Sequence, residues 1–249
     1  MRADLRAAVD AAAAAVPGTR VLLARGASGI QETGIRIWIA RANAHERAVR
    51  LVHLRADMPA EDLDLEARLR GRRTDGEPVE HLLLVCTHGQ RDRCCARLGM
   101  PVYNALRSVA PGATLRASHL GGHRFAATVV ALPLGAHFGR VAETDAADLV
   151  QAVRSGDRGP ARWYRGRTFE SRPAQAALCH LHDALVEPRL DALTVEAVEQ
   201  DGDESATVRV RCGGSTHTVR VSLTEHSPPL PKSCGSEVAP IPGWRVCTA

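Results

Sequence analysis

The chain has 249 residues, 45% hydrophobic and 24% charged, with 32 Lys+Arg against 28 Asp+Glu for a net charge of +4. A chain this long buries roughly 70–75% of its unfolded surface without a disulfide staple, and its longest apolar run falls far short of the ~20 residues of a membrane span. Aromatic residues make up only 3%, and no dense basic block occurs, so base-stacking platforms are few and nucleic acid is excluded as the expected partner.

Lys232 is the sole lysine, so arginine carries the positive charge. An Arg-, Ala- and Gly-rich composition reads first as the bias of a GC-rich genome and only second as a binding surface. The N-terminal stretch carries Asp4, Asp10 and then Pro17-Gly18, which marks a helix rather than an export signal. The expected compartment is the reducing cytoplasm, where cysteines more often serve metal or catalysis than disulfides.

In chain order, residues 2–16 read as a helix, and Val21–Ala24, Ile35–Ala40 and Ala48–Leu54 as strands. Pro59 opens a helix expected to run to about Arg70, with acidic residues in its first turn. Gly71–Pro78 is a charged surface connection. Then follow an apolar strand over 82–85, a helix over 93–109, a strand over 125–132 and a short strand near 138–141. Two further helices are expected, over 144–155 and 173–186. In the tail, 194–198, 206–210 and 218–223 alternate with period two between Gly-containing turns, the pattern of a β-meander. The Pro-rich end from Pro228 onward is expected to be extended and irregular.

The fold expected is therefore α/β. Its segments are an N-terminal α/β extension (1–77), a core (78–158), a helical extension (159–190), and a C-terminal β appendage (191–249).

Chemistry concentrates in the core. Cys86-Thr87-His88-Gly89 stands at the carboxyl end of the apolar strand, the edge where ligands of open α/β sheets gather. The next helix carries Cys94 and Cys95 in its first turn, where backbone N–H groups and the dipole favour thiolate. The segment Ser118-His119-Leu120-Gly121-Gly122-His123 follows, and its glycines mark a loop free to fold both imidazoles onto one centre. Thiolates with imidazoles suit zinc or an iron–sulfur cluster. The spacing from Cys86 to Cys95 is wide for a zinc knuckle. Cys179-His180-Leu181-His182 offers a competing box, but inside a helical run rather than a loop. Cys212, Cys234 and Cys247 are scattered and carry no assigned role.

The stretches VCTHGQRDRCCARLG (85–99) and ASHLGGHRFA (117–126) resemble the sucrase/ferredoxin-like family. The likeness is continuous over about 78–158, weaker over 18–77 and 159–187, and ends before 190. It implies a thioredoxin-like ferredoxin core holding a [2Fe-2S] cluster through two Cys and two His. On this chain the ligands would be Cys86, Cys95, His119 and His123. Cys94 stands as the alternative to Cys95. The second cysteine of the family follows the first by nine positions, which favours Cys95, as does an expected apolar stripe of Cys95, Leu98, Val102, Leu106 and Val109. Around the ligands, His88, Arg91, Asp92, Ser118, Gly121 and Gly122 would form the supporting shell.

Two neutral imidazoles in place of two thiolates leave an oxidised cluster site uncharged instead of at −2, so adding an electron costs less. Rieske centres show the size of the effect, with potentials of roughly −150 to +300 mV against about −400 mV for plant-type ferredoxins. The expected role is electron transfer or redox sensing with an unknown redox partner protein, a carrier rather than an enzyme. The alternatives are a structural zinc-binding interaction module and a small-molecule redox enzyme.

Overall fold

The computed structural model describes residues 2–26, 34–90, 93–225, 230–231 and 237–247. Helix α1 (Ala3–Ala15) leads to the short β1 (Ala24–Arg25), then a long hairpin of β2 (Gly34–Ala42) and β3 (Arg47–Arg55). A 3-10 turn (Ala60–Leu63), α2 (Leu65–Leu69) and β4 (Glu77–Pro78) return the chain to β5 (Leu82–Cys86). The core continues through α3 (Arg93–Val109), β6 (Thr114–Ala117), a 3-10 turn (His123–Phe125), β7 (Val129–Leu132), β8 (Ala136–Phe138) and α4 (Ala146–Ser155). Beyond it come β9 (Tyr164–Arg167), α5 (Arg172–Ala184), β10 (Leu193–Gln200), β11 (Ser205–Cys212) and β12 (Ser215–Glu225). The end holds β13 (Leu230–Pro231), β14 (Val238–Ala239) and β15 (Pro242–Val246). This is an α/β fold, as the sequence pattern predicts. Among the described residues no helix is long and apolar enough to cross a membrane.

The central sheet has the order β1-β6-β5-β7-β8-β9. Strand β5 runs parallel to β6 and antiparallel to β7, which in turn runs antiparallel to β8. All five residues of β5 are buried, as its unbroken apolar run requires of a central strand covered on both faces. Leu83 and Val85 face α3 and α4. Leu82, Leu84 and Cys86 face the opposite layer, where Val49 and Trp38 of the hairpin pack. The hairpin's other face carries Ile39 and Leu54 against Leu5 and Ala12 of α1.

Several local expectations shift. The helix expected from Pro59 to Arg70 is broken at Asp64, which sits at φ 44 and accepts the Ala67 N–H at 3.2 Å as the cap of α2. The strand expected over 125–132 begins only at Val129, because His123–Phe125 closes a 3-10 turn. The strand expected over 21–24 pairs only at Ala24 and Arg25, and that near 138–141 lies at Ala136–Phe138. On α3 the buried stripe is Cys95, Gly99, Val102, Tyr103 and Leu106, while Leu98 and Val109 are 43% and 41% exposed. At 100° per residue Leu98 and Val109 lie on one flank of that stripe, off the line through Gly99 and Leu106. Part of the Pro-rich end is also a strand: β15 pairs antiparallel with β12, and Pro242 opens it, where a missing N–H is tolerated.

One close approach sets the core. A Cβ built on Gly99 would lie 2.1 Å from the Cys86 carbonyl oxygen, so α3 rests directly on the backbone at the end of β5. The Gly99→Ala variant is expected to lose about 2 kcal/mol despite its better helix propensity, measured as a lower urea midpoint. An unchanged midpoint would show that α3 can move away from β5 at no cost.

Helix α5 buries His182, whose Nδ1–H donates to the Glu187 carbonyl at 2.8 Å and whose ring meets Tyr164 edge-on at 5.5 Å. Burial pushes its pKa below the ordinary imidazole value. The unfolded chain takes up this proton at about pH 6.5 and the folded chain does not, so stability falls as pH drops below that value. A His182→Asn variant should lose less stability than wild type between pH 7 and 5 in parallel urea titrations.

Candidate metal centre

Strand β5 ends at Cys86, and its neighbours fix that end on both sides. The Cys86 N–H donates to Thr128 O at 3.0 Å and the Thr87 N–H to Ala117 O at 3.2 Å. Because Gly99 lets α3 lie close, the first turn of α3 reaches over this end and delivers Cys95. Both thiols are buried, Cys86 at 0% and Cys95 at 1% exposure. The loop after β6 comes from the neighbouring strand and brings His119 to the same point.

Cys86, Cys95 and His119 each offer a donor atom, and these three atoms lie within 4.8 Å of one another. The Cys86 pKa is held well below the usual thiol value. The Cys95 thiol donates to its sulfur, burial works against ionisation, and the backbone N–H groups of Leu120 and His88 and the charge of His119 favour it. Such surroundings favour the thiolate form of a buried sulfur.

His123 follows in the 3-10 turn, with its ring 6.0 Å from that of His119. It stands beside the group of three rather than within it. Cys94 is half-buried and donates its thiol to the His123 carbonyl at 3.7 Å, a contact to backbone rather than into the donor group. Gly121 and Gly122 have φ values of 92° and 64°, which the turn between the two histidines requires. His88 places its ring 6.3 Å from His119. Ser118 ties the loop to the strand edge: its N–H donates to Leu23 O at 2.8 Å and its Oγ accepts the Leu23 N–H at 3.1 Å. Arg91 and Asp92 lie outside the described residues. Cys179 and His182 are built into α5, with the Cys179 thiol against the Tyr164 carbonyl at 3.9 Å and burial pushing its pKa up to about 12.

Two further residues hold the loop without any signal in the local sequence. Arg20 donates to the carbonyls of Leu120 and His119 at 2.7 and 2.6 Å, across about a hundred residues of chain. His137 of β8 lies under Gly122, where a Cβ would meet its ring at 3.3 Å, and burial pushes its pKa down to about 4. Neither residue lies in the two motif stretches, so only the fold reveals them.

The donor chemistry fits either a soft metal ion or an iron–sulfur cluster: a thiol from the end of β5, a thiol from the first turn of α3, and two imidazoles from the connection between β6 and β7. No curated protein matches the chain. The sucrase/ferredoxin-like family profile matches residues 17–166, a span containing every one of these donors. With well over half its length inside that match, the chain belongs to the sucrase/ferredoxin-like family.

Proposed function

We propose that this protein holds one [2Fe-2S] cluster through Cys86, Cys95, His119 and His123 and serves in electron transfer or redox sensing. The observation that carries this reading is the convergence of two buried thiols and a histidine at the carboxyl end of β5, with a second histidine next to them. The strand order β6-β5-β7-β8, with α3 joining the parallel pair and β7 antiparallel, supports reading the core as thioredoxin-like.

A bound cluster of this kind supplies a reversible one-electron step. The chain's residues divide the rest of the work. The Leu120 and His88 N–H groups stabilise negative charge on Cys86 Sγ, which makes electron uptake easier. Leu82, Leu84, Leu115 and Leu120 exclude water around the thiols. Each ligating imidazole has an outer nitrogen that can hold or release a proton, so charge added at the site is offset by proton uptake.

A single zinc ion is the second reading, favoured by the 4.8 Å mutual spacing of three donors, which one ion can span. Anaerobically purified protein separates the two. The cluster reading expects a coloured protein with iron and inorganic sulfide in equal amounts. A colourless protein carrying zinc without iron would overturn it. Cys86→Ser and Cys95→Ser should lose the chromophore, and Cys94→Ser should keep it.

The potential should fall as pH rises from 6 to 9, by up to about 59 mV per pH unit where one proton accompanies the electron. Protein-film voltammetry reads this directly, and a flat profile would count against histidine ligation.

A further inference from the structure

The turn that carries His123 continues into Phe125, and arginines from three separate elements meet on that ring. The guanidinium carbons of Arg124, Arg140 and Arg165 lie 4.9, 5.6 and 4.9 Å from its centre. Arg124 comes from the 3-10 turn, Arg140 from the segment after β8 and Arg165 from β9, so the fold and not local sequence gathers them. We propose that these three residues form the docking surface for an acidic face of the redox partner, a proposal that rests on the electron-transfer reading above.

Several features set this cluster apart from a solvated arginine surface. Among the described residues none of the three has a carboxylate within ion-pair distance, whereas nearby Arg162 pairs with Asp145 at 2.7 Å and Arg158 with Asp183 at 2.9 Å. Burial and the like charge of Arg140 act against Arg165. The Arg165 Nε is buried with no hydrogen-bond partner. Arg140 sits at φ 58, a left-handed conformation uncommon for a bulky side chain, while its N–H donates to the Phe125 carbonyl at 2.7 Å. The chain accepts charge repulsion and backbone strain here, and the cation–π contacts hold the guanidiniums in place.

The position suits electron exchange. The two thiols are shut from solvent, but His119 and His123 are half-buried, so the histidine side is the accessible side of the site. Arg124 is the residue after His123. Arg124 and Arg140 are both exposed, so their guanidiniums are open to a carboxylate-rich face.

The test uses the whole chain. A fluorescein-labelled oligoglutamate peptide should bind wild type at low ionic strength and weaken steeply with added salt. Arg124→Gln with Arg140→Gln should weaken binding at least about tenfold, which corresponds to about 1.4 kcal/mol. Arg220→Gln with Arg245→Gln, an equal change of charge on the C-terminal sheet, should not. Equal weakening in both pairs, no peptide binding at all, or equally effective competition by inorganic phosphate at matched concentration would overturn the acidic-face proposal. In a second arm, the reduced protein is oxidised by ferricyanide or by a cationic cobalt complex, each accepting one electron. The Arg124/Arg140 variant should slow with ferricyanide only, at unchanged iron content and visible spectrum. Transfer to neither oxidant by wild type would overturn the reading of the site. Normal transfer with no change in anion selectivity would overturn the docking surface alone.

Discussion

Helix α3 lies against the carbonyl of Cys86 at a distance that leaves no room for even a methyl group at position 99. Much of the candidate site depends on that contact. It lowers the first turn of α3 over the end of β5, and so carries Cys95 to a thiol that belongs to the strand. It also fixes the end of β5 from a third direction, after its hydrogen bonds to β6 and β7 have fixed it from two. A thiol pair assembled from two elements, nine positions apart in sequence, keeps its spacing only if the elements cannot slide. Backbone-to-backbone packing resists sliding better than interlocked flexible side chains do.

The electrostatics follow from this packing. Burial alone would hold a thiol neutral, yet Cys86 has a lowered pKa because donors converge on its sulfur from Cys95 and from two backbone N–H groups. Arg20 clamps the loop that supplies one of those N–H groups by taking two of its carbonyls. The site is therefore asymmetric, with a dry and prepared sulfur side and a half-open imidazole side. On the half-open side the arginines Arg124, Arg140 and Arg165 gather around Phe125, next to His123.

What could be read from the chain was what short-range chemistry writes into it. The unbroken Leu82–Val85 run announced a buried strand, the Ala-rich start a helix, and the two motif stretches a donor set at the strand's edge. Phase errors marked the limit: Leu98 and Val109 belong to an apolar pattern on α3, yet they lie on its flank and are partly exposed. Strand β9, Tyr-Arg-Gly-Arg, has no apolar alternation and pairs because β8 offers it an edge. Arg20, His137, Arg140 and Arg165 were invisible for the same reason, and Arg124, though inside a motif stretch, gave no sign that two distant arginines would join it. They reach the site from segments far apart in the chain, and one arginine among thirty-one carries no mark of where the fold will put it. The composition favoured coding bias as the source of all that arginine, and for most of the chain the structure adds nothing against it.

Helix α5 serves two cores at once. Ala174, Ala177, Leu178 and Leu181 pack into the sheet formed by β10, β11, β12 and β15, while Cys179 and His182 turn toward Tyr164 of β9 in the central sheet. The family match stops at residue 166, inside β9 and before this helix begins. The span of the family match and the physical unit therefore have different borders. A protein cut at the family boundary would leave the edge of its central sheet uncovered, and one cut after α5 would expose a wholly apolar helix face to water. The C-terminal sheet, whose described residues bring no donor to the candidate site, is thus the counterpart that covers the apolar face of α5.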